Sequence, residues 1–121
     1  MYKISKQFAF SAAHSLSGLP EDHPCTRLHG HNYVVTVHLR ASELNSTGFV
    51  KDYNELRVVK LYIDEHLDHR NLNDIMHPLN SSAENLARLL YDIFKPILPE
   101  LYAVEVSETP KTSAIYEPDG Q

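Results

Sequence analysis

The sequence predicts an α+β domain, in which a four-stranded sheet carries two helices on one face. Apolar residues alternate with polar ones in two N-terminal segments, which is typical of strands with one buried face. Two central segments instead repeat their apolar residues at helical spacing, and two short apolar segments flank a turn near the C-terminus. The predicted element order is ββααββ, and we expect one domain over residues 1–121.

The first two strands are predicted at residues 2–14 and 29–41. The inward-facing row of the first strand consists of Tyr2, Ile4, Phe8, Phe10 and Ala12. His14 lies two residues after Ala12 and therefore faces the same side of the first strand. In the second strand, every second residue back from Leu39 faces inward, and this row ends at His31 and His29. All three imidazoles therefore end inward-facing rows on strands that we expect to be neighbours.

The two helices are each preceded by a residue pair with the spacing of a capping box. These pairs are Asp52 with Glu55 and Ser81 with Glu84. Leucine, isoleucine, valine and aromatic residues then recur every three or four positions, and Pro96 ends the second helix. The predicted helices span residues 53–65 and 82–95.

The last two strands are predicted at residues 101–108 and 114–116, on either side of a turn that contains Pro110. Because Val104 and Val106 face inward, Glu108 is also on the inward phase. A buried carboxylate needs a partner. Glu108 is therefore either half of an internal ion pair or an acceptor for a ligand with paired N–H donors.

Composition and charge exclude several classes of protein. The net charge of −5 and the pI near 5.8 disfavour nucleic-acid binding, which needs a basic surface. No apolar run approaches the ~18 residues of a membrane-spanning helix, and the N-terminus lacks the apolar region of a signal peptide. The single cysteine cannot form an internal disulfide. We therefore expect a cytoplasmic protein without nucleic-acid or membrane partners.

The three inward histidines predict a zinc site. Three imidazole ligands leave the fourth position of a tetrahedron open for water or substrate, as in catalytic zinc sites. Cys25 lies on the loop between the first two strands and can approach the metal from there. The alternative is a closed structural site in which Cys25 is the fourth ligand. The remaining histidines outside motifs are expected to be solvated: His23, His38, His66 and His77.

Asp68 and His69 adjoin each other just after the first predicted helix. Such a pair is either a coincidence of the surface or an imidazole that its carboxylate orients for general acid–base work.

Taken together, these residues resemble the 6-pyruvoyltetrahydropterin synthase and 6-carboxytetrahydropterin synthase family over nearly the whole chain. The blocks that carry the resemblance are Phe8-x-Phe10-x-Ala12-Ala13-His14, Cys25-x-x-x-His29-Gly30-His31-Asn32-Tyr33, Gly48-x-Val50-x-Asp52-Tyr53, Leu67-Asp68-His69-x-x-Leu72-Asn73, Ser82-x-Glu84-Asn85 and Val106-x-Glu108-Thr109. Three residues separate Cys25 from His29. This spacing resembles that of the 6-carboxytetrahydropterin synthase branch, which acts in queuosine biosynthesis, whereas 6-pyruvoyl enzymes typically have five residues there.

The resemblance implies a tunnelling fold, in which the sheets of three subunits join into a barrel and two trimers stack as a hexamer with active sites at subunit interfaces. It also implies a reaction, the conversion of 7,8-dihydroneopterin triphosphate to 6-carboxy-5,6,7,8-tetrahydropterin with loss of acetaldehyde and triphosphate. The nearest alternative is 6-pyruvoyl chemistry, and the most distant is a non-catalytic domain with the closed structural zinc site.

Roles for single residues follow from the same resemblance. His14, His29 and His31 would bind Zn²⁺, Cys25 would be the base, and His69 oriented by Asp68 would be the second proton-transfer group. Glu108 would hold the N–H donors of the pterin ring, and Ser82 would offer a hydroxyl near it. Arg27, on grounds of sequence proximity, would offset the charge of the triphosphate.

Overall fold

A four-stranded antiparallel sheet in the order β1-β2-β3-β4 organises the computed structural model, which describes residues 1–120. The strands are β1 Tyr2–His14, β2 His29–Ala41, β3 Leu101–Thr109 and β4 Thr112–Tyr116. The α+β prediction is confirmed, and β1 and β2 have the predicted bounds. β4 begins two residues earlier than predicted, so the turn that joins it to β3 is shortened to Pro110 and Lys111.

The ladder between β1 and β2 determines where the histidines lie. Its register pairs Phe8 with Val35, and it ends with His14 opposite His29. Because the strands are antiparallel, the end of β1 lies beside the start of β2, and Ala12 is opposite His31. The inward-facing row of β1 ends at His14, and that of β2 begins at His29 and His31. The two paired strands thus bring three imidazoles to one corner of the sheet.

Helices cover the inward face of the sheet. The predicted first helix starts as a 3-10 turn at Tyr53–Leu56 and continues as α1 Arg57–His66. A short helix, α2 Leu72–Met76, was not predicted, and α3 spans Ala83–Phe94. No helix within residues 1–120 is long and apolar enough to cross a membrane.

The two predicted helix caps have different outcomes. Asp52 caps the 3-10 turn by accepting a hydrogen bond from the Asn54 amide. The predicted capping box of Ser81 with Glu84 is wrong, because Ser82 is the N-cap of α3 and accepts from the Asn85 amide at 3.2 Å. Ser81 is buried instead, against the end of β1.

The core lies between the sheet and the helices, and the outer face of the sheet is polar. His38 lies on this outer face, as its parity predicts, yet it is half-buried, with its Nε2 atom 3.0 Å from the Glu105 carboxylate. The prediction that His38 is solvated is therefore wrong, because the neighbouring strand supplies an acidic partner. The core itself is built from Tyr33, Val35, Val37 and Leu39 of β2, Val104 and Val106 of β3, and Leu86, Leu90 and Phe94 of α3, among others.

Candidate metal centre

The side chains of His14, His29 and His31, here called the histidine cluster, converge at the corner where β1 ends and β2 begins. One ring nitrogen from each lies within 4.8 Å of the other two. The three ring centroids are 4.6–5.1 Å apart. His14 is fully buried, whereas His29 and His31 are half-buried. Residues from two strands therefore bring three imidazole donors into the range that one metal ion can bridge.

Two backbone carbonyls select which ring nitrogen each ligand offers. His14 Nδ1 lies 2.7 Å from the Ser81 carbonyl, and His29 Nδ1 lies 2.7 Å from the Arg27 carbonyl. Because a carbonyl only accepts, both Nδ1 atoms carry the proton, and the lone pair of a neutral ring is on Nε2. Such carbonyl contacts are typical of metal-binding histidines. His14 and His29 can therefore each offer Nε2 to a metal ion.

The electrostatics of His31 also suit a ligand. Burial lowers its pKa, Glu108 opposes this effect, and the neighbouring rings of His14 and His29 lower it further. The net lowering keeps the ring neutral near pH 7, which is the form that binds metals.

Glu108 ends up at the histidine cluster. Its Oε2 atom is 3.1 Å from His31 Nε2 and 3.4 Å from His14 Nε2, and its side chain is 25% exposed. The contact with His14 is too long for a strong hydrogen bond, and the buried His14 Nε2 atom has no hydrogen-bond partner within residues 1–120. A buried ring nitrogen in this condition is available to bind a metal ion. The carboxylate thus lies within 3.4 Å of the candidate ligand atoms of His14 and His31.

Cys25 lies beside the histidine cluster and not within it. It is half-buried, in a 3-10 turn at Pro24–Thr26. The Leu16 amide donates to the Cys25 carbonyl at 2.8 Å, which ties this turn to the chain two residues after His14. Its sulfur is not among the donor atoms that lie within 4.8 Å of one another. This arrangement favours a histidine-only ligand set over a closed site.

Asp68 and His69 form a pair that the edge of β1 holds in place. The Ser11 amide donates to Asp68 Oδ1 at 3.0 Å, and the His69 amide donates to the Ser11 carbonyl at 2.6 Å. The other Asp68 oxygen is 3.0 Å from His69 Nδ1. The hydrogen bond from Ser11 lowers the pKa of Asp68, and His69 lowers it further. An ionised carboxylate therefore orients an imidazole whose side chain is 83% exposed.

The backbone of His69 supports a functional reading of this pair. Its φ of 59° is in the left-handed region, which residues other than glycine rarely adopt. Non-glycine residues in this region are concentrated at functional sites, where surrounding contacts hold them. Here the strand edge provides those contacts.

Two clefts meet the candidate residues from different sides. A cleft of about 520 Å³ is lined by His31, His69 and Arg70, among others. Another, of about 420 Å³, is lined by Glu108 and Glu84. A slightly larger cleft, of about 550 Å³, lies elsewhere, between β1 and α1, and contains none of the candidate residues. We place the site at the histidine cluster, because chemistry depends on the donor groups and not on volume.

Ser82 and Arg27 have structural contacts of their own. The Ser82 hydroxyl caps α3, and the Arg27 carbonyl accepts from His29. The Arg27 side chain is exposed. Their roles in substrate binding stay predictions.

Sequence reasoning missed three polar residues that hold this corner together. Ser81 accepts from His14 through its carbonyl, as described above. Asn73 accepts from the Ser15 amide and donates to the Ser15 carbonyl, both at 2.8 Å. Asn80 makes the same pair of contacts with Ser17, both at 2.9 Å. Each asparagine side chain pairs with both the N–H and the C=O of one serine, as the backbone of a neighbouring strand would. In the sequence only Asn73 could have been noticed, because it belongs to the block at residues 67–73.

Comparison with known proteins identifies relatives along the whole chain. The family model of 6-pyruvoyl tetrahydropterin synthase matches residues 3–119. The 6-carboxy-5,6,7,8-tetrahydropterin synthase of Synechocystis is 34% identical over 96% of this chain and 93% of its own length. The human 6-pyruvoyl tetrahydrobiopterin synthase is 32% identical over 95% of this chain and 90% of its own length. The solved structure of Caenorhabditis elegans 6-pyruvoyl tetrahydropterin synthase superposes with a TM-score of 0.85 at 29% identity, covering 98% and 96% of the two chains.

Proposed function

This chain belongs to the 6-pyruvoyl tetrahydropterin synthase family, and we propose that it is a zinc-dependent carbon–carbon lyase. Its substrates are 7,8-dihydroneopterin triphosphate and water, and its products are 6-carboxy-5,6,7,8-tetrahydropterin, acetaldehyde and triphosphate. The observation that carries the proposal is the histidine cluster, in which two carbonyls leave the Nε2 atoms of His14 and His29 available, together with a free thiol on the adjacent turn. Such a thiol beside an open metal site is suited to proton abstraction from a bound substrate.

In this proposal His14, His29 and His31 hold the zinc through their Nε2 atoms. Bound zinc supplies Lewis-acid polarisation of substrate oxygens. Cys25 takes a proton from the substrate side chain at its Sγ atom. His69 transfers the second proton through Nε2, because its Nδ1 atom faces Asp68. The cleft that His69 shares with His31 supports its inclusion.

Glu108 is the anchor of the pterin ring. A carboxylate accepts two parallel hydrogen bonds from the paired N–H donors of a pterin. In the structure Glu108 contacts His31 and His14 at the same Nε2 atoms that zinc requires. A metal ion held by those atoms would take the place of these contacts and would leave the Glu108 carboxylate free to accept from the pterin.

The proposed enzyme acts in queuosine biosynthesis in the cytoplasm, as a hexamer of two stacked trimers. The sheet supports such an assembly, because β1 and β4 are its edges and edge strands of this length need a cover. Joining the edges of neighbouring copies into a barrel removes them.

The nearest alternative is 6-pyruvoyltetrahydropterin synthase activity, which eliminates triphosphate without breaking the carbon–carbon bond. Relatives of both kinds match this chain at similar identity. The short spacing of three residues between Cys25 and His29 favours the 6-carboxy branch, because it limits how far the thiol reaches around the metal. A displacement of ~1 Å can change a rate on the order of a hundredfold.

Product analysis tests the proposal. The zinc-loaded protein is incubated anaerobically with 7,8-dihydroneopterin triphosphate and an aldehyde trap, and products are identified by mass spectrometry. We expect trapped acetaldehyde and 6-carboxytetrahydropterin in equal amounts. Accumulation of 6-pyruvoyltetrahydropterin without acetaldehyde would establish the alternative activity. If neither product forms while zinc is retained, the non-catalytic reading is correct.

A further inference from the structure

We infer that His23 is a positioning residue for Cys25: its ring holds the turn that carries the thiol at a fixed place beside the histidine cluster. The inference rests on the proposed function in one respect, since it takes the thiol to be the base. His23 was predicted to be a solvated histidine, but the structure gives it a specific contact.

The contact is a side-chain cap on a single turn. The Cys25 amide donates to His23 Nδ1 at 3.1 Å. His23 has extended backbone angles, with φ −68° and ψ 129°, and precedes the turn as its N-cap residue. Pro24, the first residue of the turn, has no N–H to donate. The Cys25 amide is therefore the first donor of the turn that needs an acceptor, and the His23 ring provides it.

His23 also holds the other end of this turn. Its carbonyl accepts from the Thr26 amide at 3.1 Å and from the Thr26 hydroxyl at 2.8 Å. On the far side, the Leu16 amide donates to the Cys25 carbonyl at 2.8 Å. The peptide groups on both sides of Cys25 are thus fixed, one by a side chain and one by the main chain that follows His14.

Of the two contacts that fix the Cys25 peptide groups, only the one from His23 involves a side chain. A substitution at His23 is therefore the way to alter the position of the thiol. The Leu16 contact uses backbone atoms only, so it does not depend on the His23 side chain. The His23 contact depends on one ring nitrogen acting as an acceptor. His23 is not part of the candidate metal-binding group within residues 1–120, and its ring contacts the backbone of the turn that carries the thiol.

The inference makes a chemical distinction that substitutions can test. If His23 acts as an acceptor, asparagine should replace it, because its side-chain oxygen caps the second or third amide of a turn. If His23 acts through ring packing, phenylalanine should replace it. His23→Asn, His23→Phe and His23→Ala therefore separate the two roles, and Asp22→Ala, an exposed neighbour in the same loop, is the matched control.

Three quantities are measured on each zinc-loaded variant: the rate of Cys25 alkylation by iodoacetamide, the zinc content, and kcat and KM for 7,8-dihydroneopterin triphosphate. We expect His23→Ala and His23→Phe to raise the alkylation rate about fivefold, the change expected from loss of a side-chain cap. Their kcat should fall by about tenfold to a hundredfold, since small displacements of a reacting group have effects of this size. KM and zinc content should not change.

His23→Asn and Asp22→Ala should behave like the unmodified protein in all three measurements. The inference is overturned if His23→Phe is normal while His23→Asn is impaired, or if His23→Ala leaves both alkylation and kcat unchanged. Loss of zinc in His23→Ala would also overturn it, since the residue would then support the metal. If the unmodified protein forms no pterin product, the proposed function fails, and the alkylation rates alone still decide the role of His23.

Discussion

Replacement of His29 by alanine is the sharpest test of the metal centre. His29 is half-buried and makes one hydrogen bond from its ring, to the Arg27 carbonyl at 2.7 Å. Its removal should therefore cost the metal-free protein only about 1 kcal/mol of unfolding free energy, the net value of such a bond. His14 is a poorer choice because it is fully buried, so its replacement would also open a cavity.

The expected loss in metal affinity is much larger. Four-ligand zinc sites bind with about 10–16 kcal/mol, so one ligand contributes roughly 3–4 kcal/mol. His29→Ala should thus raise the Kd for zinc by about two to three orders of magnitude. At zinc concentrations ~100-fold above its own Kd, the unmodified protein gains about 2.7 kcal/mol of stability. The variant should gain about 0.4 kcal/mol or less under the same conditions.

Chelator competition measures the two Kd values, and thermal unfolding with and without zinc measures the linked stability. His66→Ala is the control, because it removes an exposed histidine from the end of α1. It should leave both quantities unchanged. An unaltered zinc affinity in His29→Ala would refute the assignment of the histidine cluster as the metal centre.

The other predictions concern the residues around the metal. Cys25→Ala should retain zinc and lose about two to four orders of magnitude in kcat, as loss of a positioned base does; zinc loss on elemental analysis would favour the closed structural site. Glu108→Ala should weaken pterin binding by about 2–5 kcal/mol with zinc content unchanged, and unchanged affinity in a fluorescence titration would make Glu108 a structural carboxylate. Asp68 has a lowered pKa in the folded state, so its charge stabilises the fold above the unfolded value of 3.8 and this stability is lost as the pH falls through the folded value. The stability difference between the unmodified protein and Asp68→Asn, from urea unfolding, should shrink as the pH falls below 4; a difference that does not vary with pH in that range would contradict the assigned hydrogen bonds.

The sheet could be predicted closely because its signal is local and repetitive. The alternation of β1 and β2 extends over 13 residues each and ends at histidines, so both the bounds and the shared face of the ligands follow from counting. The short helix α2 has only five residues, which is too few for a helical period to be visible.

The supporting contacts of the site could not be predicted in the same way. Ser81 and His14 are 67 positions apart, and Asn73 and Ser15 are 58 apart. No local pattern relates such residues, since their contact exists only after α3 has docked on the sheet. The predicted cap at Ser81 failed for a related reason: either of two adjacent serines can serve as an N-cap residue, and the burial of Ser81 against His14 leaves that role to Ser82.

The different origins of the two ring contacts have a consequence for how the centre assembles. The carbonyl that orients His29 comes from Arg27, two residues away, so this ligand is set up locally as β2 begins. The carbonyl that orients His14 comes from Ser81, next to the N-cap of α3, so this candidate ligand is held with Nδ1 protonated only when the helix is packed. Metal binding and helix docking must then stabilise each other, because linkage between two equilibria is reciprocal. Zinc should accordingly slow amide hydrogen exchange in α3, which carries no ligand, as well as in β1 and β2, which do.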